Sequence, residues 1–306
     1  MRKSCIHPFT MPSQLDTLIQ INLDDLVSSF GWEKQPVLAS IVRQLFMKPA
    51  RKFAQQMVDF DNGVGKSGLA EASRQTMRKL YVRDVCVCGR EHVPANGPVL
   101  FLSNHPCMAD TISLFAAINR PDLKVIALHR PFLAALTNTA ERLCFIDDGA
   151  SERMRAMRQV SAHLRSGGSV LTFPAGEIEP DPDVYPGALD SLANWTDSAG
   201  IFMRFAPQTK IVPVLVSGVI WEKTAHHWLT HFKRTRFERE KLAAALQLLA
   251  MITQDARPTT VHVRVAEPIT LDEVGSTKTQ AIHQVVIARM RGLIQSPVEG
   301  EGVSVL

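Results

Sequence analysis

The chain has 306 residues, of which 45% are hydrophobic and 21% are charged. This composition is typical of a globular protein and excludes a disordered or collagen-like chain. The 34 basic and 30 acidic residues leave a formal charge of +4. A small basic excess permits an anionic partner. Proteins that bind nucleic acid usually carry a denser basic stripe, so we expect no nucleic-acid partner.

The first 20 residues contain no continuous apolar region, so the sequence predicts no signal peptide. No stretch reaches the roughly 18 apolar residues that a membrane-spanning helix needs. The best candidate, residues 211–221, is short and is interrupted by Pro213 and Gly218. The five cysteines are an odd number. Without a secretory signal, a reducing compartment without disulfides is the better expectation.

Residues 36–80 carry apolar side chains at the helical period in three blocks. The Asp-Asn-Gly sequence at residues 61–63 is a turn signal that predicts a break between two of these helices. We therefore predict an N-terminal helical region over residues 1–80 and a second domain over residues 81–306.

The sequence pattern changes after Tyr81, where short apolar segments alternate with segments of helical periodicity. A first strand precedes a turn rich in Pro and Gly, and helices are predicted near residues 112–118, 152–166 and 242–252. The further predicted strands cover residues 99–103, 124–128, 142–146, 170–173, 211–216 and 260–265. This alternation indicates an α/β fold, with a central, mostly parallel sheet flanked by helices.

The most specific local signal is His105 and Asp110, which follow a predicted buried strand and open a predicted helix. Ligands of open α/β sheets bind beyond the carboxyl ends of the strands. If His105 lies in the loop and Asp110 in the first helical turn, the carboxylate can reach the imidazole. It would then fix the tautomer and make His105 a candidate general base. A helix-capping Asp110 beside a hydrogen-bonded His105 fits the spacing equally well.

The second signal is Thr-Phe-Pro-Ala-Gly-Glu at residues 172–177, which also follows a predicted strand. It should therefore lie at the same edge of the sheet as His105. Pro174 and Gly176 predict a tight turn with exposed backbone N–H groups, which can bind an oxyanion or phosphate. An ordinary turn between a strand and a loop is the alternative, and this segment by itself is weak evidence.

Taken in order, these motifs resemble the glycerolipid acyltransferase family, which includes glycerol-3-phosphate and lysophosphatidic acid acyltransferases. The resemblance covers about residues 82–270. The matching residues are Asn104, His105 and Asp110 of the first motif, Phe173, Pro174 and Gly176 of the third, and residues 211–214 of the fourth, an apolar strand with a central Pro.

The resemblance implies a reaction in which His105, oriented by Asp110, takes a proton from an acceptor hydroxyl group. The alkoxide then attacks the thioester of acyl-CoA or acyl carrier protein. No covalent acyl-enzyme, metal or cofactor is implied. The implied substrate-binding residues are Asn104, Phe173, Pro174, Ala175, Gly176, Glu177 and Arg130. Arg130 lies near a position where the family often has a basic residue, although a solvated loop is an equally good interpretation.

Two segments depart from the family pattern. Asp148 stands where the second motif usually has Arg, and Ala175, Glu177 and Ile178 stand where the third usually has Glu, Thr and Arg. Two phosphate-binding cations are therefore missing, and a nearby carboxylate would repel a phosphate dianion. The Phe-Pro-Ala-Gly-Glu version resembles the branch that acylates lyso-ornithine lipids and the related hemolysin-like proteins, which predicts an amine-bearing acceptor.

Residues 221–241 combine two Trp, two Phe and three His with basic residues at 233, 234, 236 and 239. Aromatic and basic side chains together suit an interface with anionic lipid headgroups. The alternative is a solvated helix and loop. We expect a peripheral enzyme at the cytoplasmic face of a membrane, with an acyl-CoA or acyl carrier protein donor and a lysolipid acceptor.

Three alternatives to this acyltransferase of amine-bearing lysolipids stay open. The first is a glycerol-3-phosphate or 1-acylglycerol-3-phosphate acyltransferase. The second is a non-catalytic lipid-binding protein with the same scaffold. Such a protein does not need His105 and Asp110, so the presence of both argues against it. The third is a hydrolase, although the sequence contains no Gly-x-Ser-x-Gly nucleophile elbow.

Overall fold

The computed structural model describes residues 12–29, 32–147, 149–297 and 302–306. Two helices come first: α1 spans Gln14–Ser29 and α2 spans Pro36–Lys79. They pack on each other and on the rest of the protein through buried apolar side chains such as Leu18, Leu23 and Met57. The N-terminal region is therefore helical, as predicted, although α1 has no counterpart among the predicted elements. The domain boundary at residue 80 stays a prediction.

Helix α2 continues through residues 61–63, so the predicted break there is wrong. The backbone leaves helical geometry at Gly68 instead, where φ is 80° and ψ is 170°. Glycine adopts positive φ without the steric cost that a side chain brings. Gly68 therefore allows the kink that the Asp-Asn-Gly sequence predicts five residues too early.

Asp61, within the predicted break, attaches α2 to the rest of the protein. Its carboxylate accepts hydrogen bonds from the backbone N–H and the hydroxyl group of Thr139, at 2.8 and 2.7 Å, and from Gln14 Nε2 at 2.9 Å. Thr137 and Asn138 donate at 3.2–3.4 Å. Burial raises the pKa of Asp61, but these hydrogen bonds more than offset that effect and hold the pKa below its usual value.

The remaining elements alternate between strands and helices. The strands are β1 Asp84–Cys88, β2 Val99–Ser103, β3 Leu123–Leu128, β4 Leu143–Ile146, β5 Ser169–Thr172, β6 Lys210–Ser217, β7 Thr260–Val265 and β8 Val303–Ser304. The helices are α3 Met108–Ile118, α4 Pro131–Ala135, α5 Thr137–Ala140, α6 Ala150–Arg165, α7 Ala188–Ser191, α8 Ser198–Phe205, α9 Glu222–Ala225, α10 Arg236–Gln254, α11 Leu271–Val274 and α12 Thr279–Gln295. Short 3₁₀ helices cover Arg90–His92, Leu192–Asn194 and Trp228–Phe232. All predicted strands are present, and β2 and β7 have the predicted bounds.

The described strands form one sheet in the order β4-β3-β5-β2-β6-β7-β1-β8. Strands β2 to β6 are parallel to one another, whereas β7 is antiparallel to β6 and parallel to β1. The carboxyl ends of β2 to β6 therefore share one edge of the sheet, which we call the carboxyl edge. The predicted mostly parallel sheet, flanked by helices, is confirmed.

Helices cover both faces of the sheet, so its central strands are apolar on both sides. Along β2, Val99 and Phe101 belong to a buried cluster that includes residues of α2 and α3, whereas Leu100 and Leu102 belong to a second cluster with residues of α6, α8 and α12. All four side chains are buried. This double burial is the reason that β2 is a continuous apolar run in the sequence.

Candidate active site

Asn104, the first residue after β2, joins two neighbouring strands at the carboxyl edge. Its Nδ2 donates to the backbone oxygen of Val216 in β6, and its Oδ1 accepts from the N–H of the same residue, both at 2.8 Å. The side chain thus extends the β2–β6 hydrogen bonding and fixes the start of the His105 loop, residues 104–107. The substrate-binding role predicted for Asn104 stays a prediction.

His105 and Asp110 are in contact at this edge. His105 lies in the loop and Asp110 in the first turn of α3, with Nδ1 and Oδ2 2.8 Å apart. The same Oδ2 accepts the backbone N–H of Cys107 at 3.1 Å, and Oδ1 accepts the hydroxyl group of Thr111 at 2.8 Å. Asp110 therefore caps α3 and holds His105, so the two geometries that the spacing allows occur together.

The partners of His105 determine its protonation. A carboxylate accepts hydrogen bonds, so Nδ1 carries the hydrogen and Nε2 keeps its lone pair. The Asp110 side chain is fully buried, whereas 29% of the His105 side chain is exposed. Burial lowers the pKa of His105, but the charge and hydrogen bond of Asp110 and the charge of Glu179 outweigh it and hold the pKa above its usual value. An imidazole in this arrangement can accept a proton at Nε2.

The turn after β5 lies against the imidazole. The ring centroids of Phe173 and His105 are 4.5 Å apart. Gly176 has a φ of 70°, which favours glycine, so the predicted tight turn is confirmed. Its N–H, however, donates to the backbone oxygen of Phe173 at 3.0 Å. The expectation that the turn presents its N–H groups to a ligand is therefore wrong for Gly176.

The remaining predicted binding residues are Pro174, Ala175, Glu177 and Arg130. Within the described ranges, no hydrogen bond, ion pair or ring contact joins Ala175, Glu177 or Arg130 to His105. Glu177 is exposed and accepts a hydrogen bond from Asn194 Nδ2 at 3.1 Å. Arg130 is exposed beyond β3, which β5 separates from β2. The binding roles of these residues and of Pro174 stay predictions.

Asp148, which occupies the position of the Arg that the resembled family usually has, lies outside the described residues.

Two buried carboxylates after β5 are absent from the residues that the sequence singles out. The backbone N–H of Glu179 donates to the backbone oxygen of His105 at 2.9 Å. The Asp181 carboxylate accepts the N–H groups of residues 218–220 at 2.7–3.0 Å. These bonds tie the loop after β5 to the His105 loop and to the end of β6. The sequence feature that could have indicated them is the run of acidic residues at alternate positions 177, 179 and 181.

The segment 221–241 follows β6 and therefore begins at the carboxyl edge. Trp228 is 62% exposed and Phe232 is 74% exposed, and their ring centroids are 5.8 Å apart. The four basic residues predicted to accompany them are exposed as well, at positions 233, 234, 236 and 239. Aromatic and basic side chains of this segment are therefore exposed, as the sequence predicts for residues that could meet anionic headgroups.

Comparisons with known proteins concern the part of the chain that holds these residues. Residues 84–217, from the start of β1 to the end of β6, match the family model described as Acyltransferase. No curated protein matches the chain. Among solved structures, the chain is similar to the crystal structure of the 1-acyl-sn-glycerophosphate (LPA) acyltransferase, PlsC, from Thermotoga maritima. The identity is 14% and the TM-score 0.46, over 94% of this chain and 98% of that one.

Proposed function

We propose that this chain, whose residues 84–217 match the acyltransferase family, transfers a fatty acyl group from an acyl thioester to a hydroxyl group of a lysolipid. The observation that carries this proposal is the His105–Asp110 pair, 2.8 Å apart and partly open at the carboxyl edge. An imidazole that a buried carboxylate orients, with Nε2 left as a base, suits deprotonation of a hydroxyl group.

In the proposed reaction, Nε2 of His105 takes the hydroxyl proton while the acceptor oxygen forms a bond to the thioester carbonyl carbon. The tetrahedral intermediate collapses as the C–S bond breaks, and the leaving thiolate takes the proton back from the imidazolium. Asp110 keeps Nδ1 protonated and stabilises the imidazolium between these steps. The thioester supplies the driving force, while positioning and electrostatics supply the catalysis. This route uses neither a metal nor a cofactor.

A lysolipid that carries an amine is the acceptor that this chain favours. Glu177 is exposed next to the Phe173 turn, and Ile178 stands where the resembled family usually has a cation. A carboxylate at this place attracts an ammonium group and repels a phosphate dianion. The alternative acceptors are lysophosphatidic acid and glycerol-3-phosphate, and the exposed guanidinium of Arg130 favours them.

A panel of acceptors tests this choice, with acyl-CoA and acyl carrier protein donors in parallel. We expect kcat/KM to be at least about tenfold higher for an amine-bearing lysolipid than for lysophosphatidic acid, because one misplaced charge costs on the order of 1 kcal/mol or more. Glu177→Gln should reduce this preference. A clear preference of the wild type for lysophosphatidic acid contradicts the proposed acceptor and favours the alternative.

A lipid acceptor requires access to a bilayer, and the segment 221–241 supports a peripheral mode of binding. Its exposed Trp228 and Phe232 can enter the headgroup region, and its basic side chains can attract anionic lipid. Among the described helices, none combines the length and the apolar character that crossing a membrane requires. The cytoplasmic face stays a prediction of the sequence.

Vesicle flotation tests this surface. Lys233→Glu with Arg234→Glu should weaken binding to phosphatidylglycerol vesicles by about tenfold or more, because each basic residue near an anionic surface contributes about 1 kcal/mol. Arg158→Glu with Arg165→Glu, two exposed positions on α6, is the control with the same change of charge. Equal binding by the two double variants would show that residues 221–241 do not form the membrane-binding surface.

Thiol release from the acyl donor separates the classes of function. We expect release that depends on added lysolipid. Release at the same rate without lysolipid indicates a hydrolase that uses the same base on water. The absence of release with every donor and acceptor indicates a non-catalytic lipid-binding protein.

A further inference from the structure

A second buried carboxylate, Glu179, lies behind the loop that carries His105. Its backbone N–H donates to the backbone oxygen of His105 at 2.9 Å. Its Oε1 accepts from Trp195 Nε1 at 2.8 Å and from Ser191 Oγ at 2.9 Å. Glu179 therefore connects the His105 loop to residues 191–195, and its side chain is held in one orientation.

The other carboxylate oxygen of Glu179 has no such support. Oε2 is buried, and no hydrogen-bond partner reaches it within the described ranges of the chain. Neither protonation state satisfies this atom, because an ionised group leaves a charged oxygen without a donor and a protonated group leaves an O–H without an acceptor. A buried group of this kind is costly. A positive charge that forms nearby offsets that cost.

We propose that Glu179 is a positioning residue for His105, which fixes the His105 loop and adds a second negative charge that stabilises the imidazolium formed when His105 takes the acceptor's proton. This role rests on the proposed acyl transfer. Asp110 orients the ring through Nδ1, and Glu179 acts through the loop and through its charge.

The electrostatics of the two residues support this role. Burial raises the pKa of Glu179 to about 7, although the hydrogen bonds from Trp195 and Ser191 and the charge of His105 act in the opposite direction. The charge of Glu179 acts with that of Asp110 to raise the pKa of His105. Two groups that interact in this way titrate as a pair, so the pH dependence belongs to both.

Other ionisable groups of this region are hydrogen-bonded, neutral or ion-paired. Asp181, on the same loop, directs both carboxylate oxygens to the backbone N–H groups of residues 218–220. Burial raises the pKa of Tyr185 to about 12, so its hydroxyl group stays neutral near pH 7. On α10, Glu240 and Arg236 form an ion pair at 2.7 Å.

Glu179→Gln tests the proposal because it removes the charge and keeps an oxygen that can accept from Trp195 and Ser191. We expect kcat to fall by about three- to tenfold, KM for the donor to stay unchanged, and the acid limb of kcat/KM to move to lower pH by about 0.5–1 unit. Asp190→Asn, which removes an exposed charge beside Ser191, is the control and should leave all three unchanged. A lower kcat with an unmoved acid limb indicates a merely structural role and overturns the proposal.

The imidazole titration of His105, followed by NMR, tests the charge coupling without a substrate. The signal is identified by its loss in His105→Gln, and Glu179→Gln should lower its midpoint by about 0.5–1 unit. If Glu179→Gln lowers the His105 midpoint but the wild type transfers no acyl group, the proposed function is refuted and the charge coupling between Glu179 and His105 still holds. A midpoint that Glu179→Gln leaves unchanged overturns the coupling. If Glu179→Gln does not fold, Ser191→Ala replaces it, and the expected change is a smaller shift in the same direction. The absence of any shift in Ser191→Ala then overturns the proposal.

Discussion

The carboxyl edge of the sheet and the N-terminal helices each contain an aspartate that is fully buried and hydrogen-bonded to the first turn of a helix. Asp110 does this at α3, and Asp61 does it at α5. Their partners differ. Asp61 accepts from amides, hydroxyl groups and backbone N–H groups, whereas Asp110 holds an imidazole that is partly exposed. Burial and capping are therefore common to both aspartates, and an ionisable partner that reaches solvent distinguishes the candidate active site.

The largest expected difference between the two aspartates concerns activity. Asp110→Asn should lower kcat by about 10²–10³-fold, because an amide can donate to Nδ1 and so stabilise the tautomer that lacks a base at Nε2. Steady-state rates and thermal unfolding of the same preparations measure this effect. Asp61→Asn is the matched control and should keep the rate per folded molecule within about threefold. A folded Asp110→Asn with wild-type kcat removes the distinction between the regions.

The next effect concerns stability. Asp61→Ala should lower the free energy of unfolding by about 2–4 kcal/mol, because it leaves the buried backbone N–H and hydroxyl group of Thr139 without an acceptor. Asp59→Ala, at an exposed position on the same helix, should change it by less than about 0.5 kcal/mol. Urea unfolding measures both variants. Equal stabilities would indicate that the N-terminal helices do not depend on the Asp61 hydrogen bonds.

The pH dependence should separate the two regions into different ranges. The raised pKa of His105 means that kcat/KM falls about tenfold for each pH unit below that pKa, which lies above about 6.5. The lowered pKa of Asp61 means that its contribution to stability is present above its unfolded-state pKa of about 3.9 and is lost as the pH falls through its folded-state value. Rate profiles and urea unfolding over the two ranges test this. An acid limb of activity centred below about pH 6 contradicts the assignment of His105.

The smallest expected effect concerns the contact between α2 and α5. A Cβ at Gly65 would lie 2.5 Å from Oδ1 of Asn138, whose amide also donates to Asp61. Gly65→Ala should therefore lower stability by about 1 kcal/mol despite the better helix propensity of Ala. Gly292→Ala in α12, where a Cβ meets no atom within 4 Å, should raise stability by up to about 1 kcal/mol. Stabilisation by both substitutions would show that α2 and α5 are not closely packed.

The sequence predicts the features that local pattern determines. Strand β2 is recognisable because both of its faces are buried, and the His105–Asp110 contact follows from the position of a short motif between a strand and a helix. Residues 61–63 give a wrong prediction because the partners of Asp61 lie 76–78 residues later and 47 residues earlier, where no local signal can reveal them.

Glu179 is missed for the same reason. Residues 177 and 179 are both glutamates in a similar sequence context, yet Glu179 is buried and Glu177 is exposed. The fold determines this difference by bringing Trp195 and Ser191 over one carboxylate and leaving the other at the surface. Helix α12, which packs on β6, and strand β8, which pairs antiparallel with β1 at the edge of the sheet, are likewise recognised only in the folded structure.

We propose that His105 is the base of an acyl transfer, and thiol release that depends on lysolipid measures this role. The rate is compared between the wild type and His105→Ala, with circular dichroism and thermal unfolding to establish that both are folded. We expect the wild type to release thiol in proportion to acylated lysolipid and the variant to lose about 10²–10⁴-fold in rate. A folded His105→Ala with nearly the wild-type rate would contradict the account.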